Sequence, residues 1–289
     1  MTTAGARGRN GAKSSDDGAA SGRAPAGPHA CLDAAEVVQT VAEAQALFDI
    51  GEYEAAIGLW LPLAQEGFPT AQNAIGMCLI GGLGAEADAT TGAKWLRAAA
   101  AQGDAAACRN LADCYLKGEG VPQTDAEAEA WYRRAAAQGD GTAQDMLSWL
   151  LANADGREPD YAESMTWATA AAAQGNAASM TRIGLFHHNA LGVPRDAEAA
   201  VGWWQKAARL GEPDGQAMLG AAYHIGQGVP RDPVRAYAWL RRARWGKSKL
   251  AERFIYAVRA SLSEAEIAAA EALAEMLSEE TPLEEKGAS

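Results

Sequence analysis

The sequence predicts an all-α fold, a right-handed α-solenoid of stacked antiparallel helix hairpins with a 36-residue period. Three observations predict it. First, Trp95, Trp131, Trp167, Trp203 and Trp239 are each 36 residues apart. Second, Gly67, Gly103, Gly139, Gly175 and Gly211 keep the same period, as do Ile75, Leu111, Leu147, Ile183 and Leu219. Third, 48% of the 289 residues are hydrophobic, and alanine supplies much of that fraction. Alanine is the strongest helix former because it loses no side-chain entropy in a helix. A fixed period of this length marks a repeat architecture, in which each unit buries its apolar face by stacking on its neighbours.

One unit reads as two helices. Over Ala105 to about Lys117, the residues Ala107, Leu111 and Tyr115 fall at i, i+4 and i+8 and give one apolar face. The string GEGVP then stops the helix: Gly118 and Gly120 suit positive φ, and Pro122 cannot continue it. Thr124 or Asp125 can cap a second helix by accepting a backbone N–H. That helix runs from about Ala126 to Gln138, carries Trp131 and Ala135, and stops at Gly139. Two further rows mark the turns: Gly84, Gly120, Gly156, Gly192 and Gly228, and Asp88, Asp160, Asp196 and Asp232, with Thr124 in the missing place. The periodic tryptophans are expected in the core. Burial of roughly 150–250 Å² each, at about 25 cal/mol per Å², would contribute at most ~4–6 kcal/mol per ring.

The flanks differ in composition. Residues 1–31 are rich in Gly, Ala, Ser and Arg and are expected to be a disordered tail, since they offer too little apolar surface to offset ordering entropy. A second, acidic tail is expected over 278–289. The N-terminus has no apolar run of the length of a secretory signal. The longest uncharged run, Gly67 to Ala85, contains Pro69, Gln72, Asn73 and several glycines and does not read as a membrane span. The expected location is the cytoplasm, or the envelope if the true start lies elsewhere. The net charge of −12 argues against nucleic acid and against anionic membranes as partners.

The pattern A-x-x-x-L-G-x-x-Y-x-x-G-x-G-V…D…A-x-x-W…A-A-x-x-G resembles the SEL-one-like repeat family, a relative of the tetratricopeptide repeats. It is clearest as Leu219-Gly220, Tyr223, Gly226, Gly228-Val229-Pro230, Asp232 and Trp239. Five such repeats are expected over 68–247. The segment 32–67 looks like a tetratricopeptide-type hairpin, with a small-residue turn at Gly51 and a second helix starting at Ala55–Ala56. Residues 248–277 are expected to close the stack, with Ser263 and Glu266 in a capping-box pattern. The third repeat departs in its loop, which carries Arg157-Glu158-Pro159, and in Ser148 and Leu151. The fourth has His187 in place of the Tyr and Ala190 in place of a Gly.

Catalytic motifs are not found. No G-x-S-x-G elbow and no P-loop occurs. Cys31, Cys78, Cys108 and Cys114 form no CxxC pair, so neither a metal nor any other cofactor is expected. Cys78 and Cys114, 36 residues apart, read as small packing residues. His188 and His224 are also 36 apart and could meet across repeats as a metal or pH-sensitive pair, though two surface histidines are the simpler reading. The resemblance implies protein–protein interaction, commonly in bacterial signalling, assembly or host contact. Some relatives bind or hydrolyse β-lactams, but those carry a cysteine pair in each repeat, which this chain lacks.

The expected site is therefore a groove for a protein or peptide partner, on the concave side lined by the first helix of each unit. Its rows are Asn73, Arg109, Asp145, Thr181 and Ala217; then Met77, Asp113, Trp149, Leu185 and Ala221; then Ile80, Leu116, Ala152, His188 and His224. Trp149 breaks the tryptophan period. It reads either as an anchor for a partner, near Met77 and Leu185, or as a filler of the space left by Ser148. The sequence leaves the oligomeric state open.

Overall fold

The computed structural model of the chain describes residues 34–280, apart from 154, 155 and 157. Fourteen helices and no strand lie among the described residues. They are α1 (Ala34–Asp49), α2 (Tyr53–Glu66), α3 (Pro69–Gly81), α4 (Ala89–Ala101), α5 (Ala105–Lys117), α6 (Asp125–Ala137) and α7 (Gly141–Ala152). Then follow α8 (Tyr161–Ala173), α9 (Ala177–Asn189), α10 (Ala197–Arg209), α11 (Pro213–Ile225), α12 (Pro233–Trp245), α13 (Lys249–Ala260) and α14 (Glu264–Glu280). The tails expected over 1–31 and 278–289 lie outside the described residues, save that α14 continues to Glu280.

Periodic caps set where the helices begin. Asp88, Thr124, Asp160, Asp196 and Asp232 each accept a backbone N–H in the first turn of α4, α6, α8, α10 and α12. Between the two candidates for α6, Thr124 is the cap. A second row of caps opens α5, α7, α9, α11 and α13: Asp104, Asp140, Asn176, Glu212 and Ser248. Each such cap contributes about 1 kcal/mol. Ser263 and Glu266 close a reciprocal capping box at α14.

The loop glycines have a packing reason as well as a conformational one. Gly120 sits at φ +72, and a Cβ there would lie 2.0 Å from the Ala89 carbonyl oxygen, at the start of the preceding repeat's second helix. Side chains also occupy the left-handed region at two places in the repeat where glycine stands elsewhere: Ala190 at φ 59 and Lys247 at φ 64.

From α1 to α13 each helix packs on the next, and α14 packs on α12 rather than on α13. Odd-numbered helices of neighbouring hairpins also approach one another, as α3 with α5, α7 with α9, α9 with α11 and α11 with α13. Within 69–245 the even-numbered helices make no comparable approach. The odd-numbered helices therefore line the inner, concave side of the stack. The two helices of a hairpin cross closely at small residues. A Cβ on Gly92 of α4 would lie 2.7 Å from the Gly76 carbonyl oxygen of α3.

The core corrects one expectation. The five periodic tryptophans are half-buried, not sealed. The sealed row is one residue further on: Trp60, Leu96, Tyr132, Ala168, Trp204 and Leu240, each exposed by 2% or less. One residue is about 100° around a helix, so two neighbours cannot both point at the partner helix. The periodic tryptophans flank the core instead, and Arg134 and Lys206 lie over the outer faces of Trp131 and Trp203, at 4.3 and 4.0 Å. Cys78, Cys108 and Cys114 are buried free thiols, and burial pushes each of them up from the usual thiol range.

Candidate functional site

The first of the three rows on the inner helices is largely occupied by links between repeats. Asn110 donates to Asn73 at 2.8 Å. Arg109 pairs with Asp140, the cap of the next inner helix, at 2.7 Å. Asp145 accepts from Arg182 at 2.7 Å and from Ser179 at 2.6 Å. Thr181 donates to Glu212 at 2.6 Å, and Ala217 is buried. These side chains direct their polar atoms at the neighbouring repeat. An inner-face polar residue at this position is thus chiefly a staple along the stack.

The second row differs from repeat to repeat. Met77 is 39% exposed and Trp149 is 41% exposed, while Leu185 is half-buried and Ala221 is buried. Asp113 accepts a hydrogen bond from the phenol of Tyr132. Burial first, and Asp113 second, push that phenol well above its usual range. In the next repeat the equivalent positions hold Trp149 and Ala168. The polar pair is replaced by one large, partly exposed ring on the inner face and a buried methyl group on α8.

In the third row Ile80, Leu116 and Ala152 are half-buried. His188 packs its ring 5.5 Å from that of Trp204. Burial, with Arg195 nearby, lowers the His188 pKa. The Nδ1 of His224 is buried with no hydrogen-bond partner. Among the described residues no group of three or more His, Cys, Asp or Glu could hold a metal ion.

Four of the residues in the expected rows share a cleft. Trp149, Ala152, Thr181 and Leu185 line a cavity of about 440 Å³ between α7, α9 and the N-terminus of α11. Tyr161 and Phe186 form its apolar wall, with ring centroids 5.8 Å apart. Arg182 and Glu212 edge it. Arg182 is held by Asp145, and Glu212 caps α11 while accepting from Thr181. Burial raises the Glu212 pKa even though those bonds favour its ionised form. The cleft can thus take an apolar group against Trp149, Tyr161 and Phe186 while Arg182 and Glu212 present fixed polar atoms beside it.

The space beside Ser148 is already filled. Its hydroxyl lies 3.0 Å from that of Ser164, which also donates to the Ser148 carbonyl at 2.6 Å. Trp149 therefore has no void there to occupy. Asn73, Met77, Arg109 and Asp113 lie on α3 and α5 and do not line this cleft, nor do His188 and His224. Tyr161, Phe186, Arg182 and Glu212 were not anticipated. Only Glu212 carried a legible signal, as a member of the cap row Asp104, Asp140, Asn176.

The family model of the Sel1 repeat matches residues 69–104, 105–140, 141–176, 177–212 and 213–244. The chain belongs to the Sel1 repeat family. Among solved structures it is similar to c5321, a protective antigen present in uropathogenic Escherichia coli strains that displays an SLR fold. The identity is 29% and the TM-score 0.79, over 85% of this chain and 54% of the antigen. The chain thus spans about half the length of that relative. It is also similar to a Sel1 repeat protein from Oxalobacter formigenes, at 28% identity and TM-score 0.73, over 82% of this chain and 96% of that one. No curated protein matches the chain. Sel1 repeat proteins generally act as protein-interaction scaffolds, typically without enzymatic activity. No helix among the described residues is long and apolar enough to cross a membrane.

Proposed function

We propose that this Sel1 repeat chain is a cytoplasmic scaffold or adaptor, with a regulatory or assembly role in a bacterium, that holds a peptide of a partner protein in its concave cleft. The observation that carries this reading is Trp149: a large ring, 41% exposed, on the inner helix face beside a preformed cavity with both apolar and polar lining. Leaving such a ring in water forfeits its burial energy, and exposed aromatics at the centre of a cleft are typical binding anchors. Leu185 shares the cleft, and Met77 is a second exposed apolar residue on the same face two repeats away. Arg109, Asp113, Asp145 and Asn73 act in this reading by fixing the curvature of the face through the links described above. His188 and His224 flank the groove further along. The reading contains no catalytic step.

The test is selection of a displayed peptide library on the purified full chain, alongside the Trp149→Ala variant. Peptides retained by the wild type are expected to lose at least tenfold in affinity on Trp149→Ala, at an unchanged melting temperature. Selected peptides that bind both proteins equally would overturn the assignment of the cleft.

A further inference from the structure

The cleft beside Trp149 has two unlike ends. Along α9 its lining changes from Thr181 and Arg182 to Leu185 and Phe186 within one helical turn. The rings of Trp149 and Tyr161 belong to the apolar end, since Trp149 stands 36 residues before Leu185 and at the same level of its own helix. Glu212 and Asp214, at the start of α11, belong to the polar end, where the Glu212 carboxylate lies 2.6 Å from the Thr181 hydroxyl.

The polar end is net anionic. Arg182 lines it but is already paired with Asp145 at 2.7 Å. Glu212 accepts from the Thr181 hydroxyl and from the backbone N–H groups of Asp214 and Gly215. These donors are neutral and leave its charge in place. Asp214 is exposed and accepts from the Ser248 hydroxyl at 2.6 Å, again a neutral donor. Among the described residues no salt bridge joins Glu212 or Asp214 to a cation. Lys247 and Lys249 line a neighbouring depression that shares these two carboxylates. Within the cleft, Asp145, Glu212 and Asp214 stand against Arg182 alone. Burial raises the Glu212 pKa, and the Asp214 charge adds to the effect. A cation beside the two carboxylates would offset both causes.

We propose that the segment held in this cleft is an extended peptide carrying a lysine or arginine two positions from a large apolar side chain. The proposal rests on the reading of the cleft as a peptide site and adds the chemistry of the peptide. Thr181, which marks the level of the Glu212 carboxylate, and Leu185 are four residues apart, about 6 Å along α9. Alternate side chains of an extended chain point to the same side about 6.6 Å apart. The apolar side chain packs against Trp149 and Phe186, and the basic one reaches Glu212 and Asp214. Asn153 and Asn189, both exposed, line the apolar end. Their amides suit an extended main chain, whose N–H and C=O groups are unpaired, whereas a helix has already paired its own. An acidic side chain in the same place would set like charges together, so the site also selects against it.

The experiment begins with the displayed peptides that the purified full chain retains. Their sequences are expected to be enriched, over the unselected library, in lysine or arginine two positions from a large apolar residue. A synthetic copy of one such peptide is then titrated by fluorescence anisotropy against the wild-type, Glu212→Gln and Asp214→Asn chains. Replacing its basic residue by glutamine is expected to weaken binding at least tenfold, and so is Glu212→Gln, since each strips a half-buried charge pair of one partner. Asp214→Asn is expected to weaken binding about threefold, the size of an exposed ion pair. Both variants keep an acceptor oxygen for the bonds described above, and circular dichroism verifies that they fold. Because the chain carries a net charge of −12, basic peptides can also adhere elsewhere. Binding that is equally tight to wild type and to both variants would be such adhesion, and it overturns the proposal. Peptides that are lost on Trp149→Ala but show no basic enrichment overturn it while the cleft stands as a peptide site. A library that yields no retained peptide overturns both readings. Should Glu212→Gln fail to fold, Asp214→Asn and the glutamine replacement in the peptide decide.

Discussion

Hairpins α5–α6 and α7–α8 are consecutive repeats with the same period and with caps at the same positions, yet they use their inner faces differently. In α5–α6, Asp113 is engaged by the buried phenol of Tyr132, and the loop is wedged against the preceding repeat through Gly120. In α7–α8 the corresponding pair is Trp149 and Ala168, and Trp149 lies open on the cleft. The first helix is one residue shorter, ending at Ala152, and its cap Asn153 donates from its side chain to the Trp149 carbonyl at 2.9 Å. A Cβ on Gly156 would meet nothing within 4 Å. The regular hairpin commits its loop and its inner face to stacking. In the irregular one neither Gly156 nor Trp149 makes the corresponding contact, and the cleft lies beside Trp149.

The largest test of this contrast is at the loops. Gly120→Ala combines left-handed strain of ~1–2 kcal/mol with an overlap against Ala89 worth ~1–3 kcal/mol. It is expected to destabilise by about 3 kcal/mol or more, read as a shift of the denaturant midpoint. Gly156→Ala, with the strain and no overlap, is expected to cost about 1 kcal/mol. Equal shifts for the two would break the comparison.

The rings come next. Trp204 is 2% exposed and Trp204→Ala is expected to cost ~3–5 kcal/mol. Trp149→Ala is expected to cost less, about 1 kcal/mol, because Trp149 is 41% exposed and leaves no sealed cavity. Thermal unfolding of both variants checks this, and a large loss at Trp149 would make it a packing residue.

The smallest effect asks whether the relaxation extends to the next repeat. Ala190 ends α9 at φ 59, where other repeats place glycine. Ala190→Gly is expected to stabilise by ~0.5–1 kcal/mol, since relief of left-handed strain exceeds the added chain entropy. A midpoint that moves down instead would show that the Ala190 methyl group is packed.

Much of this fold was legible because a repeat multiplies weak signals. One aspartate before one helix says little, but Asp88, Asp160, Asp196 and Asp232 at one spacing, with Thr124 between them, identify a cap row. The same multiplication misled at the tryptophans. Their period is as regular as that of the buried row, but the buried row holds Trp60, Leu96, Tyr132, Ala168, Trp204 and Leu240, a mixture that no residue-type period reveals. For the candidate site, Trp149 and Leu185 were legible as residues on the expected inner face. Tyr161 and Phe186 were not, since they come from another helix and from a row otherwise filled by small or aliphatic residues.

The sequence by itself determined the period, the turn positions, the helix ends and the family, because each depends on local backbone chemistry repeated in register. Only the tertiary structure decided which of two neighbouring positions is sealed and which polar residues are consumed by the next repeat. The bonds Asn110 to Asn73 and Arg182 to Asp145 span 37 residues, and Ser179 to Asp145 spans 34. Those partners are set by how one hairpin sits on the next, and that docking is a property of packed surfaces rather than of any one segment of chain.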